Sequence, residues 1–268
     1  MPIVRQRARR AFVLAASVLA VLSGHIAAAS TATAVATSVA AAAAATTPAP
    51  AAAAATAQAA APAAAPAAGK AGDWRTTIRE FAAQHFKNPA WGYSHCQRDY
   101  ALARELAAAD HAKLDDDVLY AAAYLHDMAA FAPWEKEKVD HADQAASVVD
   151  TILKGTGFPM AKIDAVRGAI RTHMFDRNPV GAEALYLHDA DALDWLGAIG
   201  VARIIALVDP RGGPPDGPRA VAMLEDNLAH VPSRVLSPAG RARVEPRKAE
   251  LERFLKELRQ ESEDLRTL

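Results

Sequence analysis

From residue 73 onward the apolar positions recur at helical spacing. In DWRTTIREFAAQHF, Trp74, Ile78, Phe81 and Phe86 share a face, and Asp73 stands where an N-cap is needed. SHCQRDYALARELAAAD places Cys96, Tyr100, Ala103 and Leu106 on a second face, with Ser94 in position to cap. DDDVLYAAAYLHDMAAF opens with Asp115, Asp116 and Asp117, which the positive end of a helix dipole favours, and runs apolar to Phe131 before Pro133 limits it. Further helices are predicted at about 136–154, 159–174, 180–196 and 199–208, with Gly155 and Gly157 as stops and Pro159 as a start. DPRGGPPDGP, from 209 to 218, is a loop. PAGRARVEPRKAELERFLKELRQESEDL then forms a charged closing helix carrying Leu251, Phe254, Leu255 and Leu258. No useful length alternates with a period of two, and no repeat is visible. The pattern predicts an all-α fold, an irregular or orthogonal helical bundle.

The first 72 residues read differently. Arg5, Arg7, Arg9 and Arg10 precede an apolar run from Ala11 to Leu22, and Ala27-Ala28-Ala29 has the small-residue pattern of a cleavage site. That is the build of a signal peptide over 1–29, and it predicts export to the periplasm or cell envelope. The apolar run is a dozen residues, short of the roughly 20 that a spanning helix needs, so no membrane span is expected once the signal is cleaved. Arg9-Arg10-Ala11-Phe12-Val13-Leu14 resembles the twin-arginine export signal, whose pathway moves folded proteins and would allow a metal to be loaded first. Residues 30–72 are almost entirely Ala, Thr and Pro, and with repeated prolines and little to bury they read as a disordered linker.

The remaining 196 residues, 73–268, suffice for one domain with a proper core. Removing 1–29 takes away four arginines and no acids, so the net charge falls from -1 to -5. A mildly acidic domain without a basic stripe gives no evident nucleic-acid-binding surface. Cys96 is the single cysteine, which excludes an intramolecular disulfide. A thiol beside His95 could be a nucleophile; a lone cysteine on a helix face is more often a small packing residue.

Candidate chemistry comes from polar residues where a core helix would prefer Leu. His95 lies near a helix start, His126 and Asp127 lie late in an apolar helix, and Asp189 lies in EALYLHDADALDWLGAIG among Leu185, Leu187, Leu193, Trp195 and Leu196. Burying an unpaired carboxylate costs several kcal/mol, so aspartates in such a stretch call for a partner. Asp191 and Asp194 share a face and could be solvated or capping. Imidazole and carboxylate suit a divalent transition metal, whose charge offsets the desolvation of the acids. Adjacent helical residues point about 100° apart, so His126 and Asp127 would need other helices placed against them to share one ion.

The order His95, His126-Asp127, Asp189 resembles the HD-domain superfamily of metal-dependent phosphohydrolases. LYLHDADALDWLGAIGVAR is similar to the DAD-x-LD-x-LG-x-IG-x-AR segment of a bacterial HD hydrolase subgroup, and with AAAYLHD and AIRTH the resemblance covers about residues 74–265. It implies an all-α fold and His95, His126, Asp127 and Asp189 as metal ligands. His141 and His173 match positions where many members carry histidines that contact phosphate or a second metal. His188 reads as a neighbour, and His85, His111 and His230 as surface residues. The chain departs from the pattern at Met128-Ala129, where an apolar residue and glycine are usual. It departs again at His188 and Ala192, where a glutamine and an arginine are expected, and the second change removes a cation near the site.

The resemblance implies hydrolysis of a phosphate ester or anhydride, with a nucleotide as the small phosphorylated substrate. The cofactor would be one or two divalent ions of Mn, Fe, Co, Ni or Zn. Asp127 is the expected catalytic carboxylate, able to hold or deprotonate the attacking water. Lys136 and Lys138 could steady phosphate, although lysines there more often form a solvated face. Two rivals remain: an HD-fold di-iron oxygenase, which would use the extra histidines, and a non-catalytic envelope module stabilised by metal.

Overall fold

The computed structural model describes residues 73–268; the expected signal peptide and linker lie outside the described residues. The described chain is helical without strands: α1 (Trp74–His85), α2 (Tyr93–Ala109), α3 (Asp116–Leu125), α4 (His141–Leu153), α5 (Ile163–Arg171), α6 (Ala182–Asp194), α7 (Gly197–Ile205), α8 (Gly217–His230) and α9 (Pro238–Glu261). Short 3-10 turns cover Met128–Ala130, Met160–Lys162 and Pro232–Arg234. Among the described residues no helix is long and apolar enough to cross a membrane.

The core follows the helical stripes. Ile78, Phe81, Phe86, Leu106, Leu119, Leu125, Ile152, Ile170, Leu187 and Leu193 are buried, each removing enough apolar area to contribute about 2 kcal/mol. Helix α2 packs along α6 and α3, while α5 covers α3 and α4. Phe81, Phe86 and Trp134 meet edge to face, which ties the loop after α3 to the end of α1.

Several local expectations change. Ser94 does not cap α2; the helix begins at Tyr93 with Gly92 at its N-cap, where a Cβ would collide with the carbonyl oxygens of Phe86 and Asn88. Tyr100 is not on the buried face of α2 but at its edge, where its hydroxyl donates to Asp116 at 2.9 Å. Asp115 caps α3 by accepting from Asp117 N and Val118 N. That helix stops at Leu125 rather than running to Phe131. Helix α4 starts at His141 instead of about 136, because Asp140 supplies the cap and accepts from Ala142 N and Asp143 N. Helix α8 was not foreseen, although Asp216 caps it and its buried Ala220, Val221 and Leu224 have helical spacing.

Candidate metal centre

The early stop of α3 sets up the centre. With His126 at the C-cap and Asp127 at φ -94, ψ 8, the chain leaves the helix there and turns both side chains inward. The 100° separation of neighbouring helical residues therefore does not apply across this pair. His95 arrives from the first turn of α2 and Asp191 from α6; His173 follows the end of α5, and His141 is the first residue of α4. His95, His126, Asp127, His173 and Asp191 are all buried, and His141 alone is partly open.

His95 Nε2 lies 3.2 Å from His126 Nε2, 3.2 Å from Asp191 Oδ1, 3.2 Å from Asp99 Oδ2 and 3.6 Å from Asp127 Oδ2. On the other side of the same carboxylate, Asp127 Oδ1 is 3.3 Å from His141 Nε2 and 3.5 Å from His173 Nε2. His126 Nδ1 donates to the Ala123 carbonyl at 2.8 Å and His173 Nδ1 to the Ile170 carbonyl at 2.6 Å; a carbonyl only accepts, so these nitrogens carry the protons. His95 Nδ1 faces Asp194 at 2.8 Å. In the neutral imidazoles each Nε2 is then a lone pair, and the lone pairs point at one another and at carboxylate oxygens. Acceptors gathered around a buried point are repulsive unless a cation or added protons stand between them.

The electrostatics carry the same tension. Burial and the Arg203 charge push the His95 pKa down, but hydrogen bonds to Asp191 and Asp194 outweigh them and hold it above the ordinary value. His126 is likewise raised, Asp127 overcoming the cost of burial. Burial would raise Asp127, yet His126, His141 and His173 hold it well below the usual carboxylate range. Burial lowers His173. Without metal, the carboxylates favour protons on His95 and His126, where a cation would otherwise stand.

Around the donors lies a supporting layer. Asp194 accepts from His95 Nδ1 and from Arg98 at 2.8 Å and is ion-paired with Arg203 at 3.1 Å, and Arg203 stacks on Trp195 with its guanidinium carbon 3.5 Å from the ring centre. Such outer partners fix the ring orientation and tautomer of a ligating histidine. Asp191 and Asp194 are therefore buried and committed, not solvated or capping.

Asp189 is a correction. Its carboxylate accepts from Ser237 N at 2.6 Å, Leu236 N at 2.9 Å and His188 Nδ1 at 2.9 Å, so it braces the chain entering α9. Gly240 leaves the space for it, since a Cβ there would lie 2.8 Å from Asp189 Oδ2. One helical turn holds 3.6 residues, so residues two apart on α6 point to different sides, and Asp191 is the carboxylate that reaches His95. Asp99 was missed altogether. It sits one turn after His95 on the stripe that continues to Leu102 and Leu106, and that His-x-x-x-Asp spacing on an apolar face was the available signal.

The remaining polar residues divide simply. His111 and His230 are exposed, as are Lys136 and Lys138, whereas His85 is half-buried with its ring 5.3 Å from Trp134. Cys96 is buried, and burial followed by the Asp127 and Asp99 charges raises its thiol well above its usual value, which suits packing and not a nucleophile.

The HD domain family matches residues 92–196, the span from the cap of α2 through Leu196 just after α6. Residues 92–196 thus form an HD domain. The HD domain thus contains every donor named above, and with the buried cluster it fits a divalent metal site and supports a metal-dependent hydrolase. No curated protein matches the chain. Among solved structures, a Lactobacillus plantarum protein shares the fold at 23% identity and TM-score 0.52, covering 71% of this chain and 97% of that one. Bacillus subtilis YpgQ in complex with ADP aligns at 20% identity and TM-score 0.52, covering 70% and 97%. A predicted HD superfamily hydrolase from an uncultured Thermotogales bacterium aligns at 26% identity and TM-score 0.49, covering 70% and 90%.

Proposed function

We propose that this HD-domain protein is an exported metal-dependent phosphohydrolase that cleaves a phosphate ester or anhydride, with a nucleotide as the substrate class. The observation that carries the reading is the set of inward-facing donors: His95 and His126 Nε2 with Asp127 and Asp191, all buried and none matched by a Lys or Arg among the described residues. His95, His126, Asp127 and Asp191 would hold the principal ion. On the other side of Asp127, His173 and His141 face its Oδ1 and would hold a second ion with it. A divalent Mn, Fe, Co, Ni or Zn ion, when bound, acidifies water and neutralises phosphoryl charge.

The chain's own residues supply the rest. Asp127 stays ionised through neutral pH, so it orients and fixes hydrogen-bond donors more than it takes up protons. His141 is the most open member of the cluster; burial lowers its pKa, but Asp127 more than reverses this, so it can carry a proton to a phosphoryl or leaving-group oxygen. His173 is held neutral by burial and its Nε2 has no hydrogen-bond donor, which leaves it able to accept one. The nucleotide assignment is supported by the ADP complex of the fold relative YpgQ. Export is supported by the arginines and apolar run of residues 5–22 and the alanines at 27–29.

Metal analysis of the purified protein, with phosphate release from a panel of nucleotides and simple phosphate esters, tests this reading. Stoichiometric metal with phosphate release is the expected result. Metal without release from any phosphorylated compound would overturn the substrate class, and absence of metal would overturn the centre. A di-iron oxygenase is the second reading, favoured by the presence of two donor groups side by side. A coupled di-iron signal in Mössbauer spectra, with dioxygen uptake, would select it.

A further inference from the structure

Asp99 is fully buried, and neither of its carboxylate oxygens has a hydrogen-bond donor. Few buried carboxylates are left in that condition, because each unsatisfied charge costs several kcal/mol. Its Oδ2 lies 3.2 Å from His95 Nε2 and 3.7 Å from His126 Nε2, both lone-pair faces. His95 and Asp99 are four residues apart on α2, so one helix face delivers an imidazole and a carboxylate to the same point. Arg98, the adjacent cation, turns away to Asp194. The ligand atoms of His95, Asp99, His126 and Asp191 all lie within 4.8 Å of one another.

We propose that Asp99 is a direct ligand of the cation held by His95, His126 and Asp191, and that it biases the centre toward oxygen-seeking ions such as Mn2+. The proposal rests on the reading of the cluster as a metal centre and adds to the ligand set there. With Asp99 the site offers two imidazoles and the carboxylates of Asp99, Asp127 and Asp191. Added carboxylate favours Mn2+, whereas a site richer in imidazole suits Zn2+ equally well or better. The alternative is a protonated Asp99 that donates a hydrogen bond to His95 Nε2, and the choice of variants separates the two.

Asp99→Asn keeps the shape and can donate to His95, as a protonated acid would. Asp99→Val fills the position with apolar volume beside Leu102 and Ala103 on the buried stripe. The purified full-length chain, wild type and both variants, is titrated with Mn2+ and Zn2+ by calorimetry, and the melting temperature of each is measured without metal. Direct ligation predicts a loss of Mn2+ affinity of ~100-fold or more in both variants and a smaller loss for Zn2+. It also predicts that Asp99→Val melts no lower than wild type when metal-free, since the variant removes a buried acid to which nothing donates a hydrogen bond. Unchanged Mn2+ affinity in Asp99→Asn would overturn the proposal and leave the metal centre standing. Equal losses for the two ions, with a lower metal-free melting temperature, would also overturn it by making Asp99 a fold residue. A wild type that binds neither ion would overturn the metal-centre reading itself.

Discussion

The two ends of α3 hold three carboxylates each and treat them in opposite ways. At the N-terminus Asp115, Asp116 and Asp117 are half-exposed and matched: Arg75 meets Asp116 and Asp117 at 2.7 Å, and Lys162 meets Asp115 and Asp117 at 2.8 Å. The positive end of the helix dipole also favours them. At the C-terminus Asp127 is joined by Asp99 and Asp191; all three are buried near the negative end of the dipole and face imidazoles instead of Lys or Arg. The first group is complete as it stands. The second is complete only with a cation or with protons, and this difference marks the functional end of the helix better than acidity or burial alone.

The comparison breaks most visibly at Asp191. Asp191→Asn should cut metal affinity by at least ~100-fold, reduce phosphate release to background, and leave the helical spectrum unchanged. Equilibrium dialysis followed by elemental analysis reads the first effect. Retained stoichiometric metal would mean that Asp191 is only a neighbour of His95.

Acid should mimic the loss of metal. In the metal-free state the His95 and His126 pKa values are raised by their carboxylate partners against the opposing effect of burial. A raised pKa contributes stability that is fully present below the unfolded value of 6.5 and is lost as pH rises through the folded value. The metal-free protein should therefore weaken as pH rises above that point, while metal affinity increases because fewer protons compete. Melting temperatures with and without metal should diverge as pH rises from 6 to 8, and calorimetry in buffers of different ionisation enthalpy should show proton release on binding. A constant gap with no proton release would contradict the assignment of His95 and His126 as ligands.

Much of this was legible in the sequence because the helical stripes and the His-Asp pair are local signals. His95, His126 and Asp127 announce themselves by standing in apolar surroundings, and the structure brings them together. The choice between Asp189 and Asp191 was not legible. Both are buried on α6 two residues apart, and what separates them is the chain entering α9 almost fifty residues later, whose backbone N–H groups satisfy Asp189. Asp99 is hidden because the neighbouring Tyr100 competes with it for the buried face of α2, and a stripe drawn through the aromatic ring passes one residue beside the acid. The stop of α3 at Leu125 was equally hidden, since the alanine-rich sequence favours helix on both sides of it.

Asp189 supplies the next contrast. Asp189→Ala leaves the N–H groups of Leu236 and Ser237 unpaired, and should destabilise the domain by about 3 kcal/mol while folded protein keeps its full metal content. Urea unfolding reads the first effect, and metal content per folded molecule the second. Loss of metal with little loss of stability would return Asp189 to the ligand set and displace Asp191.

The smallest effect belongs at the satisfied end of α3. Arg75 is over a third exposed, so after solvent screening Arg75→Ala should cost a fraction of a kcal/mol in ion pairing at neutral pH. Some further loss comes from its packing 5.0 Å from the Tyr120 ring. Asp117 is held below its usual pKa by Lys162 first and Arg75 second. A lowered pKa contributes stability that is present above the unfolded value of 3.8 and disappears as pH falls through the folded value. The ion-pairing part of the difference between wild type and Arg75→Ala should thus vanish below that window, leaving only the packing part, and metal binding should not respond at any pH. A change in metal content on removing Arg75 would mean that the two ends of α3 are coupled, and that the satisfied end does more than start the helix.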